Sequence, residues 1–184
     1  MYKVFISGSM RIKNLDSNVL DRINNIISSN YQIIVGDADG VDSSIQKYLI
    51  SQETKSVLVY CSGDKPRNNI GNWHTEVTET NAAPGTRAFF TAKDVKMAED
   101  CDYGLMVWDT KSTGTLSNAI EILKRNKISL VYINKAKEFL KVKEITDLEK
   151  LVSYMSDSAF EKADKKLKLR ANIEQFKHQQ DSLF

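Results

Sequence analysis

Short apolar runs alternate with amphipathic segments through the first 134 residues. The apolar runs, predicted as five buried strands, lie at 3–8, 31–35, 56–61, 105–108 and 128–133. The segment after the fourth run is typical of one helix face, with apolar residues three and four apart at Leu116, Ala119, Ile120 and Leu123. Because continuous apolar strands alternate with such helices, the sequence predicts an α/β fold. We expect a Rossmann-like, doubly wound, mainly parallel five-stranded sheet covered on both faces.

The pattern changes after residue 134 and divides the chain into three predicted parts. Residues 1–134 form the Rossmann-like domain, 135–179 a strand and helix extension, and 180–184 a flexible tail. Within the extension, residues 138–143 are a candidate strand and 145–155 a candidate helix. Residues 157–180 are predicted to form one long charged helix, whose inward face carries Phe160, Ala163, Leu167, Ile173 and Phe176.

The alternation of strands and helices is interrupted between residues 63 and 91. This segment holds both prolines of the chain, Pro66 and Pro84, and three of its eight glycines. Loops of this length inside compact domains are uncommon and are often lids or binding loops. We therefore expect a functional loop followed by a short helix at 93–100, the alternative being an insertion without a function.

Composition excludes several classes of protein. No apolar run approaches the roughly 20 residues that cross a bilayer, so we expect no membrane partner and a cytoplasmic location. The two cysteines, Cys61 and Cys101, lie in apolar contexts and are predicted to be buried thiols. The chain has two histidines and two cysteines, and they lack the close sequence spacing of metal ligands. We therefore expect neither a bound metal nor a cofactor.

Charge is balanced overall, with a formal net charge of +2, but residues 161–170 form a basic run. Such a run is usually the solvated face of a helix. A contact with nucleic acid phosphates is the alternative interpretation.

Three polar turns follow predicted strands, at 8–11, 36–42 and 109–115. In a doubly wound sheet these turns meet at the carboxyl edge, where the ligand crevice lies. The third turn opens a helix with Ser112, Gly114 and Thr115, and a helix start attracts phosphate through its free N–H groups. One helix start contributes only about 0.3–1 kcal/mol. Several turns must therefore converge to make a useful phosphate site.

Other side chains near these turns extend the candidate ligand site. The first turn supplies Gly8, Ser9, Met10 and Arg11. Guanidinium groups pair with phosphate through two hydrogen bonds, so three arginines are candidate clamps, namely Arg11, Arg67 and Arg87. For each of them a surface arginine without a ligand is the alternative interpretation. Asp37 or Asp109 could bind ribose hydroxyls, although Asp109 is equally well explained as a turn residue. Trp108 is a core residue or a platform for a base.

The sequences GDADGVD at 36–42 and WDTKSTGT at 108–115 resemble the SLOG superfamily of nucleotide-binding Rossmann-like proteins. This group includes cytokinin-activating phosphoribohydrolases, the DNA-processing protein DprA and the YspA-like branch, which fits best. The resemblance covers about residues 2–134. It implies that a nucleotide-derived ligand is surrounded by Gly36, Asp37, Gly40 and Asp42, and by Ser112, Gly114 and Thr115. Asp42 is equally well explained as a helix cap. Relatives of this fold also pair, so we expect a homodimer.

One departure from the phosphoribohydrolase pattern bears on catalysis. That branch carries PGGxGTxxE, and the position of its glutamate is Asn118 here. If the protein cleaves an N-glycosidic bond, the carboxylate must come from elsewhere, the candidates being Asp42, Glu76 and Asp94. The departure favours a sensor, but both a sensor and a hydrolase remain open at this point.

The final residues, QDSLF at 180–184, resemble the bacterial sliding-clamp-binding peptide. The residues that carry this resemblance are Gln180, Leu183 and Phe184, and apolar side chains on a flexible tail can enter a partner's pocket. An accessory role in DNA metabolism is therefore the alternative function. A frayed tail, or one that packs on the protein's own helix, explains the same residues.

Overall fold

The computed structural model describes residues 1–181 and shows an α/β protein with one sheet. The strands of the described residues are β1 Lys3–Gly8, β2 Gln32–Gly36, β3 Val57–Ser62, β4 His74–Thr78, β5 Tyr103–Trp108, β6 Ile128–Ile133 and β7 Glu138–Val142. The helices are α1 Ser17–Ser28, α2 Val41–Ser51, α3 Arg87–Asp100, α4 Thr113–Lys124, α5 Ile145–Val152, α6 Asp157–Leu167 and α7 Leu169–Asp181.

The strand order is β4-β3-β2-β1-β5-β6-β7. All neighbouring strands pair in parallel except β6 and β7, which are antiparallel. The chain runs outward from β1 to β4 and then returns to place β5 on the other side of β1. The strand order therefore reverses between β1 and β5, and a doubly wound fold has its ligand crevice at such a reversal.

The predicted class is confirmed, but the sheet has seven strands rather than five. The candidate strand at 138–143 is β7. The strand that the sequence did not indicate is β4, which lies inside the predicted long loop and pairs with β3 from Leu58↔His74 to Ser62↔Thr78. Its sequence, HTEVT, lacks an apolar run because an edge strand has a neighbour on one side only. The remaining loop is shorter than predicted, and α3 begins at Arg87, before Lys93.

Two apolar layers cover the sheet. Alternate residues of each strand point to opposite faces, so Phe5 packs with α3 and α4 while Ile6 packs with α1 and α2. The buried residues include Ile23 and Ile45 on the second face. These two layers hold the strand ends, and therefore the turns above them, in fixed positions.

The C-terminal extension joins the first of these layers. Leu148 of α5, Ala163 of α6 and Leu169 of α7 belong to the same buried cluster as Phe5 and Trp108. The single helix predicted over 157–180 is two helices, because Lys168 has a positive φ of 50° and ends α6. The extension is thereby folded against α4, and α6 lies near the carboxyl edge of the sheet.

The cysteines Cys61 and Cys101 are buried free thiols. Burial raises the pKa of the Cys101 thiol to about 11. No helix within residues 1–181 combines the length and apolarity that a membrane span requires.

Candidate functional site

The three predicted turns meet at the carboxyl edge, with Ser9 at their centre. The Ser9 N–H donates to the Val107 carbonyl at 3.0 Å, and the Ser9 hydroxyl accepts from the Asp109 N–H at 3.1 Å. On the other side, the Val41 N–H donates to the Ser9 carbonyl at 3.4 Å. The turn after β1 therefore binds both the turn after β2 and the turn after β5.

Most of the glycines in these turns are required by packing within the protein. A Cβ at Gly8 would collide with the Val107 carbonyl, and one at Gly40 with the backbone of Met10. Gly40 also has a φ of 76°, which favours glycine. Gly36 packs against charged side chains described below. Gly114 differs, since the nearest atom to a Cβ there is the Ser112 Oγ at 4.0 Å.

The start of α4 is arranged to receive an anion. Ser112 is the N-cap residue, and its hydroxyl accepts from the Thr115 N–H at 3.3 Å. The Asp109 carboxylate accepts from the N–H groups of Lys111 and Ser112 at 2.9 and 2.7 Å. The N–H groups of Thr113 and Gly114 have no acceptor among the described residues. They are the donors at this helix start that are left for a ligand.

A groove of about 490 Å³ lies beside this helix start, and we call it the switch-point groove. One side is formed by the turns after β1 and β5, with Met10, Arg11, Asp109, Lys111, Ser112 and Thr113. The other side belongs to α6, with Ser156, Ser158, Ala159, Lys162 and Lys166. Two helix starts therefore border one groove, since Ser156 is the N-cap of α6 and its hydroxyl accepts from the Ala159 N–H at 3.3 Å.

The lining of the switch-point groove is strongly basic. It contains four cationic side chains and one carboxylate, that of Asp109. The four cations are Arg11, Lys111, Lys162 and Lys166. None of them forms a salt bridge with the side chains described, those of residues 1–178. An anion entering the groove thus meets positive charge that no protein carboxylate neutralises.

A separate group of charges lies under the loop after β3, and we call it the buried charge cluster: Asp37, Asp42, Arg67, Lys93 and Asp94. Lys93, Asp37 and Asp42 are only 2–3% exposed. The Lys93 ammonium lies 2.6 Å from Asp94 and 3.9 Å from Asp37. The Asp42 carboxylate accepts from the Ser7 hydroxyl at 3.0 Å. A side chain at Gly36 would meet both Asp42 and Lys93, which explains the glycine there.

The carboxylates of the buried charge cluster differ in acidity. Burial raises the pKa of Asp42 to about 6, although the Lys93 charge opposes this rise. Burial also acts to raise the pKa of Asp37, but the hydrogen bonds from Arg67 outweigh it and hold that pKa below its usual range. Burial acts to lower the pKa of Lys93, but the neighbouring carboxylates of Asp94 and Asp42 outweigh burial and hold that pKa above its usual value. Lys93 is therefore an ammonium ion at neutral pH.

The remaining predicted residues are dispersed. Trp108 is 1% exposed and donates from its indole N–H to the Ser112 carbonyl at 3.0 Å, so it joins β5 to the start of α4. Glu76 lies in the middle of β4, paired in register with Tyr60, and Arg87 is an exposed residue that begins α3. Neither lines the switch-point groove. Gln180 is in the last turn of α7, and Leu183 and Phe184 lie outside the described residues.

Sequence reasoning did not single out several residues of these sites. Lys162 and Lys166 belong to the basic run that was expected to be a solvated helix face, and nothing local indicates that α6 reaches the crevice. Lys93 gave a weak signal, because it lies one helical turn before the buried Met97 and thus on the inward face of α3. Among the side chains described, those of residues 1–178, no group of three or more His, Cys, Asp or Glu is arranged to hold a metal ion.

Comparisons with known proteins support the fold. No family model matches the sequence, and no curated protein matches it. Among solved structures, one of the DNA processing protein A from Helicobacter pylori is similar, with a TM-score of 0.52 and 19% sequence identity. Its description concerns the single-stranded DNA binding mode of that protein. The likeness covers 71% of this chain and 64% of that chain.

The architecture and the comparison together define a class. The chain is a Rossmann-like α/β protein with its crevice at the β1–β5 reversal. Its fold is similar to that of DNA processing protein A from Helicobacter pylori.

Proposed function

We propose that this protein binds a nucleotide or a nucleotide-derived ligand in the switch-point groove, and that it acts as a sensor rather than as an N-glycosidic hydrolase. The observation that carries the proposal is the meeting of two helix starts and four cations around one groove at the reversal of strand order.

The groove offers three kinds of phosphate contact. Thr113, which lines the groove, and Gly114, the next residue of the helix, have free N–H groups at the positive end of α4. Arg11 can bind phosphate through two parallel hydrogen bonds, and Lys111 supplies a further charge. Each contact alone is worth about 1 kcal/mol, so useful affinity requires that they converge on one ligand. Asp109 is the acidic side chain of the lining, and it suits a ribose hydroxyl.

The placement of the carboxylates argues for binding without cleavage. Cleavage of an N-glycosidic bond needs a carboxylate beside the sugar. Asp42 and Asp94 belong to the buried charge cluster, and Glu76 lies in the edge strand β4. Asp109 lines the groove, and two backbone hydrogen bonds to its Oδ1 hold it in the turn after β5, where we assign it to a ribose hydroxyl. Asn118 is buried and stands where the phosphoribohydrolase pattern has its glutamate.

The decisive experiment combines binding with a search for turnover. A thermal-shift screen would use nucleoside mono-, di- and triphosphates and ADP-ribose, because a ligand at 100 times its dissociation constant adds about 2.7 kcal/mol. Every binder would then be incubated with the protein and analysed for free base by chromatography. Binding without base release supports a sensor. Base release at enzyme-like rates would refute the sensor, and the absence of any binder would refute the proposal as a whole.

A second candidate is a role in DNA metabolism through binding of single-stranded DNA. The observation that favours it is the likeness to a structure described by its single-stranded DNA binding mode. Fluorescence anisotropy with a labelled oligothymidine tests it, and an affinity that falls steeply with salt would support it. Competition by a nucleoside triphosphate would show whether both ligands use the switch-point groove.

A further inference from the structure

The far wall of the switch-point groove is supplied by α6, outside the Rossmann-like domain. Lys162 and Lys166 are four residues apart, so they lie on the same face of α6, and both line the groove. Lys165 of the same helix does not line it. Ala163, on the adjoining side of α6, is fully buried in the core cluster and fixes which side of the helix is turned to the groove. The two lysines are therefore positioned by packing and do not merely belong to a solvated run.

The groove has two cationic walls. Arg11 and Lys111 come from the turns after β1 and β5, and Lys162 and Lys166 come from α6. Each wall also contains a helix start, that of α4 at Ser112 and that of α6 at Ser156. Against the one carboxylate of Asp109, the lining carries an excess of three positive charges. A single phosphate, which carries a charge of about −2 at neutral pH, neutralises less than this.

We infer that the ligand of the switch-point groove is a nucleoside polyphosphate, whose phosphates contact the start of α4 and the Lys162–Lys166 pair together. This inference rests on the proposed function and names the class of nucleotide that the groove selects. The α6 lysines are the residues that distinguish a polyphosphate from a monophosphate, because the α4 wall alone can hold one phosphate.

The lining favours a compact polyphosphate over a single-stranded nucleic acid. Proteins that bind single strands without sequence preference stack successive bases on aromatic side chains. The lining residues of the groove include no aromatic side chain, and its apolar members are Met10 and Ala159. The groove thus recognises phosphate charge and offers little surface for a row of bases.

The test compares the affinities of adenosine mono-, di- and triphosphate by calorimetry. The variant is Lys162→Gln with Lys166→Gln, and the matched control is Lys150→Gln with Lys165→Gln, which removes the same charge from exposed residues outside the groove. Because all four lysines are exposed and form no salt bridge with the side chains of residues 1–178, each double variant should keep its melting temperature.

In the natural protein, affinity should rise with each added phosphate. The groove variant should lose about tenfold or more of its affinity for the triphosphate and keep its affinity for the monophosphate. The control variant should keep both affinities. If the monophosphate binds and the groove variant keeps the triphosphate affinity, the inference is overturned while the proposed function stands. If oligothymidine binds more tightly than the triphosphate and loses affinity in the groove variant, the ligand is a nucleic acid and the inference is also wrong. If no nucleotide binds, both fail.

Discussion

Arg67 binds the carboxylate of Asp37 through three hydrogen bonds. The guanidinium donates to Oδ1 at 2.7 Å and to Oδ2 at 3.2 Å, and the Arg67 backbone N–H donates to Oδ2 at 2.9 Å. The guanidinium also stacks over the ring of Phe90 in α3, with its Cζ 4.3 Å from the ring centre. The pair therefore connects the loop after β3, the end of β2 and helix α3, and it gives Arg67 a structural role beside the clamp role that the sequence suggested.

Replacing Arg67 with alanine should destabilise the protein by about 1–3 kcal/mol, because Asp37 would stay buried with less of its charge compensated. The loss is limited by the exposure of Arg67, whose side chain is 38% accessible. Urea unfolding measures the change. As a control, Lys124→Ala breaks the exposed pair with Glu121 and should cost about 0.5 kcal/mol or less. Equal losses in the two variants would contradict the structural role of the Arg67–Asp37 pair.

Asp42→Asn should remove a pH dependence of stability. The unfolded chain releases the Asp42 proton near pH 4, whereas burial raises the pKa of the folded carboxyl to about 6. The stability that the neutral form contributes is therefore complete below pH 4 and is lost as the pH rises through 6. Relative to the natural protein, the variant should gain about 3 kcal/mol between pH 4 and pH 7.

Unfolding in urea at a series of pH values checks the Asp42 prediction. Asparagine can still accept from the Ser7 hydroxyl through its Oδ1, so this contact is preserved. The remaining neighbours are Lys93, which favours the carboxylate, and Asp94, which disfavours it. A difference between the two proteins that stays constant from pH 4 to pH 7 would show that Asp42 does not titrate in this range.

Gly40→Ala should separate the turns after β1 and β2. The new Cβ would collide with the backbone of Met10 and would also force alanine into a φ of 76°. We expect a loss of about 2–4 kcal/mol. Gly85→Ala is a matched control, because Gly85 has a φ of 81° but has open space around its Cβ position, and it should cost about 1 kcal/mol. Thermal or urea unfolding gives both values, and equal costs would mean that the Met10 contact contributes nothing.

Gly114→Ala should affect stability and binding in opposite directions. A Cβ there meets no close atom, and alanine favours helix, so stability should rise by about 0.3–1 kcal/mol. Nucleotide affinity should fall by about fivefold or more if a phosphate approaches the backbone at the start of α4. Calorimetry of Gly114→Ala beside Ser117→Ala, further along the same helix, tests this. Unchanged affinity would place the ligand away from Gly114.

Removal of residues 180–184 should abolish binding to a bacterial sliding clamp and leave nucleotide binding unchanged. Gln180, Leu183 and Phe184 carry the resemblance to the clamp-binding peptide. Surface plasmon resonance with immobilised clamp measures the effect, and Leu183→Ala with Phe184→Ala is the variant that keeps the chain length. An intact protein without clamp affinity, or a truncated one that retains it, would end this hypothesis.

Much of the fold followed from local pattern. The five apolar runs became β1, β2, β3, β5 and β6, and the possible strand at 138–143 became β7. The three turns were expected at one edge because parallel strands end there, and Ser9 does contact Asp109 and Val41. The single long helix over 157–180 failed because one residue, Lys168, adopts a positive φ that no spacing of apolar residues reveals.

The sequence by itself determined the alternation of strands and helices, the class of fold and the turns that border the crevice, because each depends on side chains close together in the chain. Only the tertiary structure decided that HTEVT is an edge strand, that Lys93 lies among three carboxylates, and that α6 forms the far wall of the switch-point groove. Those features depend on contacts between distant segments, such as the 3.5 Å approach of the Ser9 and Thr115 hydroxyls across 106 residues. Such contacts are fixed by the packing of whole layers, and a local sequence pattern does not predict them.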